Sequence, residues 1–175
     1  MTTAVTLQEV LTARERRAMR QADLAREYGP AAPGGSADRA VVSVTLVVPG
    51  PDKNPPWAPA VFAAAMRQVA DSLAGARILH TETHECASGP HGYAVVEGPG
   101  PREVKRSLVR GEESHRWGRL FDLDVVVDGV PLQRSDVDAA PRRCLVCDGP
   151  ASPCARSRAH DLPTVLAAIE ELLCS

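Results

Sequence analysis

The stretch GRLFDLDVVVDG, Gly118 to Gly129, decides how the rest of the chain reads. Phe121, Leu123, Val125 and Val127 fall at every second position, the period of a strand with one buried face. Asp122 and Asp124 then share the other face, about 7 Å apart at their Cα atoms. Two like charges held that near repel each other unless a cation lies between them. The pair is therefore either a metal site or the solvated face of a half-exposed strand. Asp128-Gly129 is a strong two-residue hairpin turn, and it predicts a return strand over Val130 to Arg134.

Outward from this strand, the segments before it alternate in type. Thr6 to Glu9 is a capping box, with Val5 and Val10 as a hydrophobic staple, and predicts a helix from Leu7 to near Tyr28. Gly29-Pro30 stops it. Ala40 to Val48 reads as a buried strand, and Val61 to Leu73 as one face of a second helix ended by Gly75. Ala76 to Glu82 and Tyr93 to Glu97 read as short strands joined by the polar loop HECASGPHG. Pro101 to about Glu113 is a charged helix expected to be largely exposed. Beyond the hairpin lies a long loop, Ser135 to His160, and then a last helix capped by Asp161. Without its ends, the order is strand, helix, strand, strand, helix, strand. That is the split βαβ pattern, so the expected class is α+β: a ferredoxin-like or nucleotidyltransferase-like sandwich with an added hairpin strand and terminal helices.

A chain of 175 residues, 44% hydrophobic and 24% charged, suits one soluble domain over 1–175. Its net charge of −2 argues against broad nucleic-acid or membrane-surface binding. No stretch approaches the roughly 20 apolar residues of a membrane span. Charged residues from Glu9 onward interrupt any signal-peptide core, so a cytoplasmic location is expected. Thiols stay reduced there, and the five cysteines read as ligands or small core residues rather than disulfides.

Four of the long loop's side chains have metal-ligand spacing: Cys144-x2-Cys147-x6-Cys154-x5-His160, within a Cys-rich segment at 141–160. Three thiols and one imidazole are a tetrahedral zinc set, and a structural zinc would hold an otherwise irregular segment. The plain alternative is that Cys144 and Cys147 are core residues. Cys86 and Cys174 read as packing residues. Positive charge is the other resource. A helical projection puts Leu7, Val10, Leu11, Ala18, Ala22 and Ala25 on one face of the first helix, with Arg14 in its middle and Arg17 at its edge; Arg16 and Arg20 point away. A guanidinium on an apolar stripe needs an acceptor, either an acid such as Asp136 or a ligand phosphate. Arg119 faces away from the carboxylates, and Arg142, Arg143, Arg156 and Arg158 surround the cysteines. His115 reads as a general base, a phosphate contact or a helix cap. Ser88 and Gly89, in the loop SGPHG, form either a phosphate cradle or a turn. Carboxylates for Mg²⁺ with arginines around a polyphosphate suit phosphoryl or nucleotidyl transfer.

The pieces VTLQEVLTARERRAMRQ, VVSVTLVVPGPDK, ASGPHG, SHRWGRLFDLDV and PRRCLVCDGPASPCARSRAHDL fall in order along nearly the whole chain. In them the sequence resembles the citrate lyase holo-acyl-carrier-protein synthases, also called apo-citrate lyase phosphoribosyl-dephospho-CoA transferases. The resemblance implies transfer of a phosphoribosyl-dephospho-CoA group from its triphosphate precursor to a serine of the acyl carrier (gamma) subunit of citrate lyase. Pyrophosphate would leave. It implies Mg²⁺ on Asp122 and Asp124, phosphate contacts from Arg14 and Arg17, and His115 activating the serine. Arg116-Trp117 and Ser135 depart from the family's usual run and bear on carrier preference. Two rivals stand beside this reading: the same chemistry on a related lyase or decarboxylase carrier, and a zinc-containing interaction module without activity.

Overall fold

A computed structural model of the chain describes residues 5–175. Five strands form one open sheet: β1 (Arg39–Leu46), β2 (Arg77–His84), β3 (His91–Glu97), β4 (Phe121–Val127) and β5 (Val130–Pro131). Their order is β2-β3-β1-β4-β5, and every neighbouring pair is antiparallel. Leaving out β5, the central strands β1 and β3 are flanked by β4 and β2, as the split βαβ order requires. The helices are α1 (Leu7–Tyr28), α2 (Ala58–Ser72), α3 (Pro101–Ser114), α4 (Ala151–Ser157) and α5 (Leu162–Cys174). None is long and apolar enough to cross a membrane.

The period-two pattern of β1 and β4 separates two faces. Val42, Val44, Phe121, Leu123 and Val125 are buried against Val61, Ala65 and Val69 of α2, Val104 and Leu108 of α3, and Ile169 of α5. Each large apolar side chain taken out of water here contributes roughly 1.5–3 kcal/mol, so this layer dominates the core. On the opposite face α1 buries Leu24 against Val41, Tyr93 and Val95. The capping box that starts α1 is present: Thr6 Oγ1 accepts the Glu9 N–H at 3.2 Å, and Glu9 Oε2 accepts the Thr6 N–H at 2.8 Å.

Four expectations change. The return strand is only Val130–Pro131, because Pro131 lacks an N–H and the chain then turns into a 3-10 segment over Arg134–Val137. Asp136 caps that turn by accepting the Gln133 N–H at 2.7 Å. The long loop carries α4. Helix α3 is not merely a solvated surface: Lys105 and Glu112 are among its buried residues. Helix α1 is also rotated from its expected face. Val10, Ala13, Arg17, Gln21, Leu24 and Tyr28 are half-buried or buried, whereas Leu7, Leu11, Arg14, Ala18 and Ala22 are exposed. Polar contacts fix this rotation. Gln21 donates to Ser43 Oγ at 3.0 Å, and Arg20, expected to point away, grips Glu82 with two bonds of 2.7 Å.

Candidate active site

β4 has a partner on its outer side for only two residues, so its first half has a bare edge. Side chains take up the backbone groups there. The Phe121 carbonyl accepts from Arg142, the Leu123 N–H donates to Glu112 Oε1 at 3.1 Å, and the Leu123 carbonyl accepts from Lys105 Nζ at 2.8 Å. The same cations reach round to the carboxylates. Lys105 Nζ lies 3.0 Å from Asp124 Oδ1, and Arg142 Nη2 lies 3.3 Å from Asp122 Oδ1. Thr45, paired with Asp122 across β1, donates to Asp122 Oδ2 at 3.1 Å. Glu112, itself buried, steadies the group by accepting from Arg142 at 2.9 Å and Arg134 at 2.5 Å. The repulsion between the two aspartates is thus relieved from behind by two bases.

The carboxylates lie on the α1 face as their spacing required, and both remain open: the Asp122 and Asp124 side chains are 44% and 38% exposed. Asp124 Oδ2 has no hydrogen-bond partner among the described residues. Among those residues the pair belongs to no cluster of three or more metal-binding side chains. Mg²⁺ is commonly held by one or two carboxylates with substrate phosphates completing the shell, and this geometry fits that habit.

Basic and small residues flank the same end of the sheet. Arg17 Nη1 is 3.5 Å from Ser88 Oγ, which is 3.1 Å from Cys86 Sγ. Gly89 has φ +100°, and a Cβ there would stand 3.0 Å from the Lys53 carbonyl, so this turn requires glycine. Asn54 ties the two loops by donating to the Cys86 and Ala87 carbonyls at 2.9 and 3.1 Å. Lys53, absent from the sequence-based set, donates to the Val48 carbonyl at 2.6 Å, and burial lowers its pKa. Arg14 is seven residues, about two turns, before Gln21 and so shares its flank of the helix. Gln21 sits on Ser43, whose neighbour across the sheet is Asp124. Arg14 is therefore exposed on that flank of the helix and not part of a buried stripe. Asp136 is occupied by the Gln133 turn and is not its partner.

The remaining predicted residues gather on another side. His115 caps α3, its Nδ1 accepts the Trp117 N–H at 3.0 Å, and its ring lies 4.7 Å from that of Phe121. The Phe121 side chain faces α2 and α3, so the imidazole is away from the aspartate face. Burial, with Arg116 and Arg67 adding to it, lowers the His115 pKa. With Nδ1 accepting, the neutral ring carries its proton on Nε2 and offers a donor. Arg119 is not in the strand but in a 3-10 turn, Gly118–Leu120, and is exposed. It lines a cavity of about 470 Å³ with His115, Arg116, Arg134, Arg142 and Arg143.

Cys144, Cys147, Cys154 and His160 converge, with one ligand atom from each within 4.8 Å of the others. The Cys147 and Cys154 sulfurs are 3.7 Å apart, close to the roughly 3.8 Å that tetrahedral Zn–S bonds of about 2.3 Å impose. His160 Nε2 is buried with no hydrogen-bond partner, a donor atom in want of a ligand. Burial alone would raise the Cys144 thiol, but the Cys147 and Val146 amides and the neighbouring thiols bring it down to about 6. Bonding to Cys147 raises Cys154 to about 11. The group fits a metal such as zinc. It also braces the clamp, since the Arg142 carbonyl accepts the Ala151 N–H at 2.7 Å. Cys86 is half-buried beside Ser88, and Cys174, expected to pack, is exposed.

With this geometry in view, the sequence pattern of one family, apo-citrate lyase phosphoribosyl-dephospho-CoA transferase, matches residues 5–175. The chain belongs to this family. The apo-citrate lyase phosphoribosyl-dephospho-CoA transferase of Escherichia coli O1:K1 / APEC is 36% identical over 175 residues, 97% of this chain and 89% of that protein. The transferase of the same name from Shigella boydii serotype 18 is 35% identical over the same shares. Among the residues this transferase family member assembles around β4, Lys105 and Glu112 escaped the sequence reading. Their signal was present: Lys105, Leu108 and Glu112 recur at helical spacing on the stripe that Val104 begins.

Proposed function

We propose that the protein, as a single transferase domain, moves the 2'-(5''-phosphoribosyl)-3'-dephospho-CoA group from its triphosphate precursor to a serine of the acyl carrier subunit of citrate lyase. The serine oxygen forms a bond to the phosphorus nearest the ribose, the bond from that phosphorus to the bridging oxygen breaks, and pyrophosphate leaves with the proton. A phosphodiester remains. The observation that carries this reading is the half-exposed Asp122–Asp124 pair, clamped from behind by Lys105 and Arg142 and open in front. Mg²⁺ held there would neutralise the triphosphate and stabilise charge on the leaving oxygen.

The chain's own residues supply the rest. Arg14 and Arg17 reach phosphate oxygens from the α1 flank, and the Ser88-Gly89 turn offers its hydroxyl and backbone beside Arg17. Arg119, Arg142 and Arg143 bind the more distant phosphates. His115 acts as a donor to phosphate, not as the base, because its Nδ1 is already an acceptor. The Cys144, Cys147, Cys154 and His160 group holds a structural zinc, which fixes the segment that places Arg142. Such a protein works in the cytoplasm.

Asp124→Asn is the direct test of the carboxylates. Asparagine keeps an Oδ1 acceptor for Lys105 but removes its counter-charge, so the melting temperature should fall modestly with the fold intact, while transfer is lost. Near wild-type turnover at ordinary Mg²⁺ would remove the assignment.

A further inference from the structure

A second cavity, about 840 Å³, opens between the loop after β1, the cysteine segment and α5. Its floor is aliphatic, with Val47, Leu145, Leu162 and Val165, and the one ring on its lining is His160, which belongs with Cys144 and Cys154 to the Cys/His group. Arg119, Arg142, Arg143 and Arg158 stand around it. The acid that lines it, Asp161, is engaged in capping α5 by accepting the Thr164 N–H at 2.9 Å. Arg142 and Arg143 are paired with acids, whereas Arg119 and Arg158 form no salt bridge among the described residues.

Two of the four guanidiniums already face carboxylates, so Arg119 and Arg158 are the pair left to take an anionic group. Inorganic phosphate would satisfy the rim and leave the aliphatic floor wet. The chemistry asks for a ligand with phosphates at one end and a flexible, partly apolar chain at the other. The volume lies in the range of small-molecule sites, and a concave hollow of this kind suits such a ligand better than a protein surface. Arg142 is the inner wall, 3.3 Å from Asp122, so a molecule bound here lies one side chain away from the carboxylates.

We propose that this cavity binds the dephospho-CoA end of the donor, its diphosphate against Arg119 and Arg158 and its pantetheine arm along the Leu145–Val165 floor. The donor's identity rests on the transfer reading above; the class of ligand rests on the cavity alone. The aliphatic floor suits the pantetheine arm better than the adenine, because the one ring there, His160, is turned to the Cys/His group.

Calorimetric titration of the metal-loaded full chain with dephospho-CoA and with ADP tests the site. Wild type should bind dephospho-CoA at least tenfold more tightly than ADP. The double variant Arg119→Gln, Arg158→Asn should lose tenfold or more in dephospho-CoA affinity without a change in melting temperature. Asparagine is chosen because Arg158 has φ +50°, which that residue tolerates. Ala155→Phe, which fills the hollow, should abolish the advantage of dephospho-CoA over ADP. Affinity unchanged in both variants, or no dephospho-CoA binding to wild type, overturns the proposal. The two readings fail separately. Transfer that proceeds with the donor KM unchanged in both variants removes this site and leaves the reaction. Variant-sensitive dephospho-CoA binding with no transfer to any carrier leaves the site and removes the reaction. A rise in the KM for carrier alone would make the rim a protein contact and overturn the ligand assignment.

Discussion

Replacing Glu112 by alanine probes how the outer edge of β4 is held. The residue is 5% exposed and its carboxylate takes three donors: the Leu123 N–H, Arg142 and Arg134. Alanine leaves the Leu123 amide without a partner in a buried stretch, a loss of roughly 1–3 kcal/mol. The guanidiniums are less badly served. Arg134 retains Glu113 at 2.9 Å and the Ala140 carbonyl at 3.2 Å, and Arg142 retains the Phe121 carbonyl and Asp122. The roughly 3–5 kcal/mol that follows complete stranding of a buried charge therefore sets the ceiling, and we expect about 3–4 kcal/mol. Glutamine keeps one oxygen for the amide and Arg142 and should cost only about 1–2 kcal/mol. Urea unfolding of the two variants measures both numbers, and donor turnover under native conditions should fall further in the alanine variant, because Arg142 loses the brace that aims it at Asp122. An alanine variant within about 0.5 kcal/mol of wild type, the range of ordinary surface changes, would refute this view of the edge.

Three other outcomes are expected. Arg20 holds the Glu82 carboxyl at about 2 against burial, which alone would raise it. A depressed folded pKa means stability present above about pH 4.5 and lost as pH falls toward 2, on the order of 1 kcal/mol for a pair that water still screens; Arg20→Met should flatten most of that part of a pH series of urea midpoints. Metal analysis of protein purified without chelator should find about one zinc per chain, and chelation should speed proteolysis within 141–160; absence of metal would leave Cys144, Cys147, Cys154 and His160 as packing residues. Arg14→Met should change stability by less than about 0.5 kcal/mol, since the side chain is exposed, and weaken donor binding by about tenfold. A drop in melting temperature with unchanged donor binding would make Arg14 structural.

The sheet was legible because β4 alternates with period two, β1 and β3 are continuous apolar runs, and the order strand, helix, strand, strand, helix, strand is that of a split βαβ unit. The Cys/His group was legible because four side chains with metal-ligand chemistry within seventeen positions leave few alternatives. What misled was α1, whose apolar residues suggest one face while Arg20, Gln21 and Leu24 choose another. The apolar stripe carried less weight than the Glu82 and Ser43 acceptors that a sequence cannot place opposite it. The clamp on the aspartates was hidden for a related reason. Lys105 and Glu112 look like surface charges on a charged helix until β5 proves too short to cover β4, and a bare strand edge then needs side-chain donors and acceptors. His115 illustrates a further limit: its position beside the carboxylates in sequence places it across the sheet from them in space.

The central claim is the group transfer itself. The purified protein, Mg²⁺, the triphosphate donor and the apo acyl carrier subunit should yield, by intact mass, a carrier heavier by one phosphoribosyl-dephospho-CoA group. Pyrophosphate should appear in equal amount, and a carrier lacking the acceptor serine should stay unmodified. An unmodified wild-type carrier, with a donor that other transferases of this family consume under the same conditions, would contradict it.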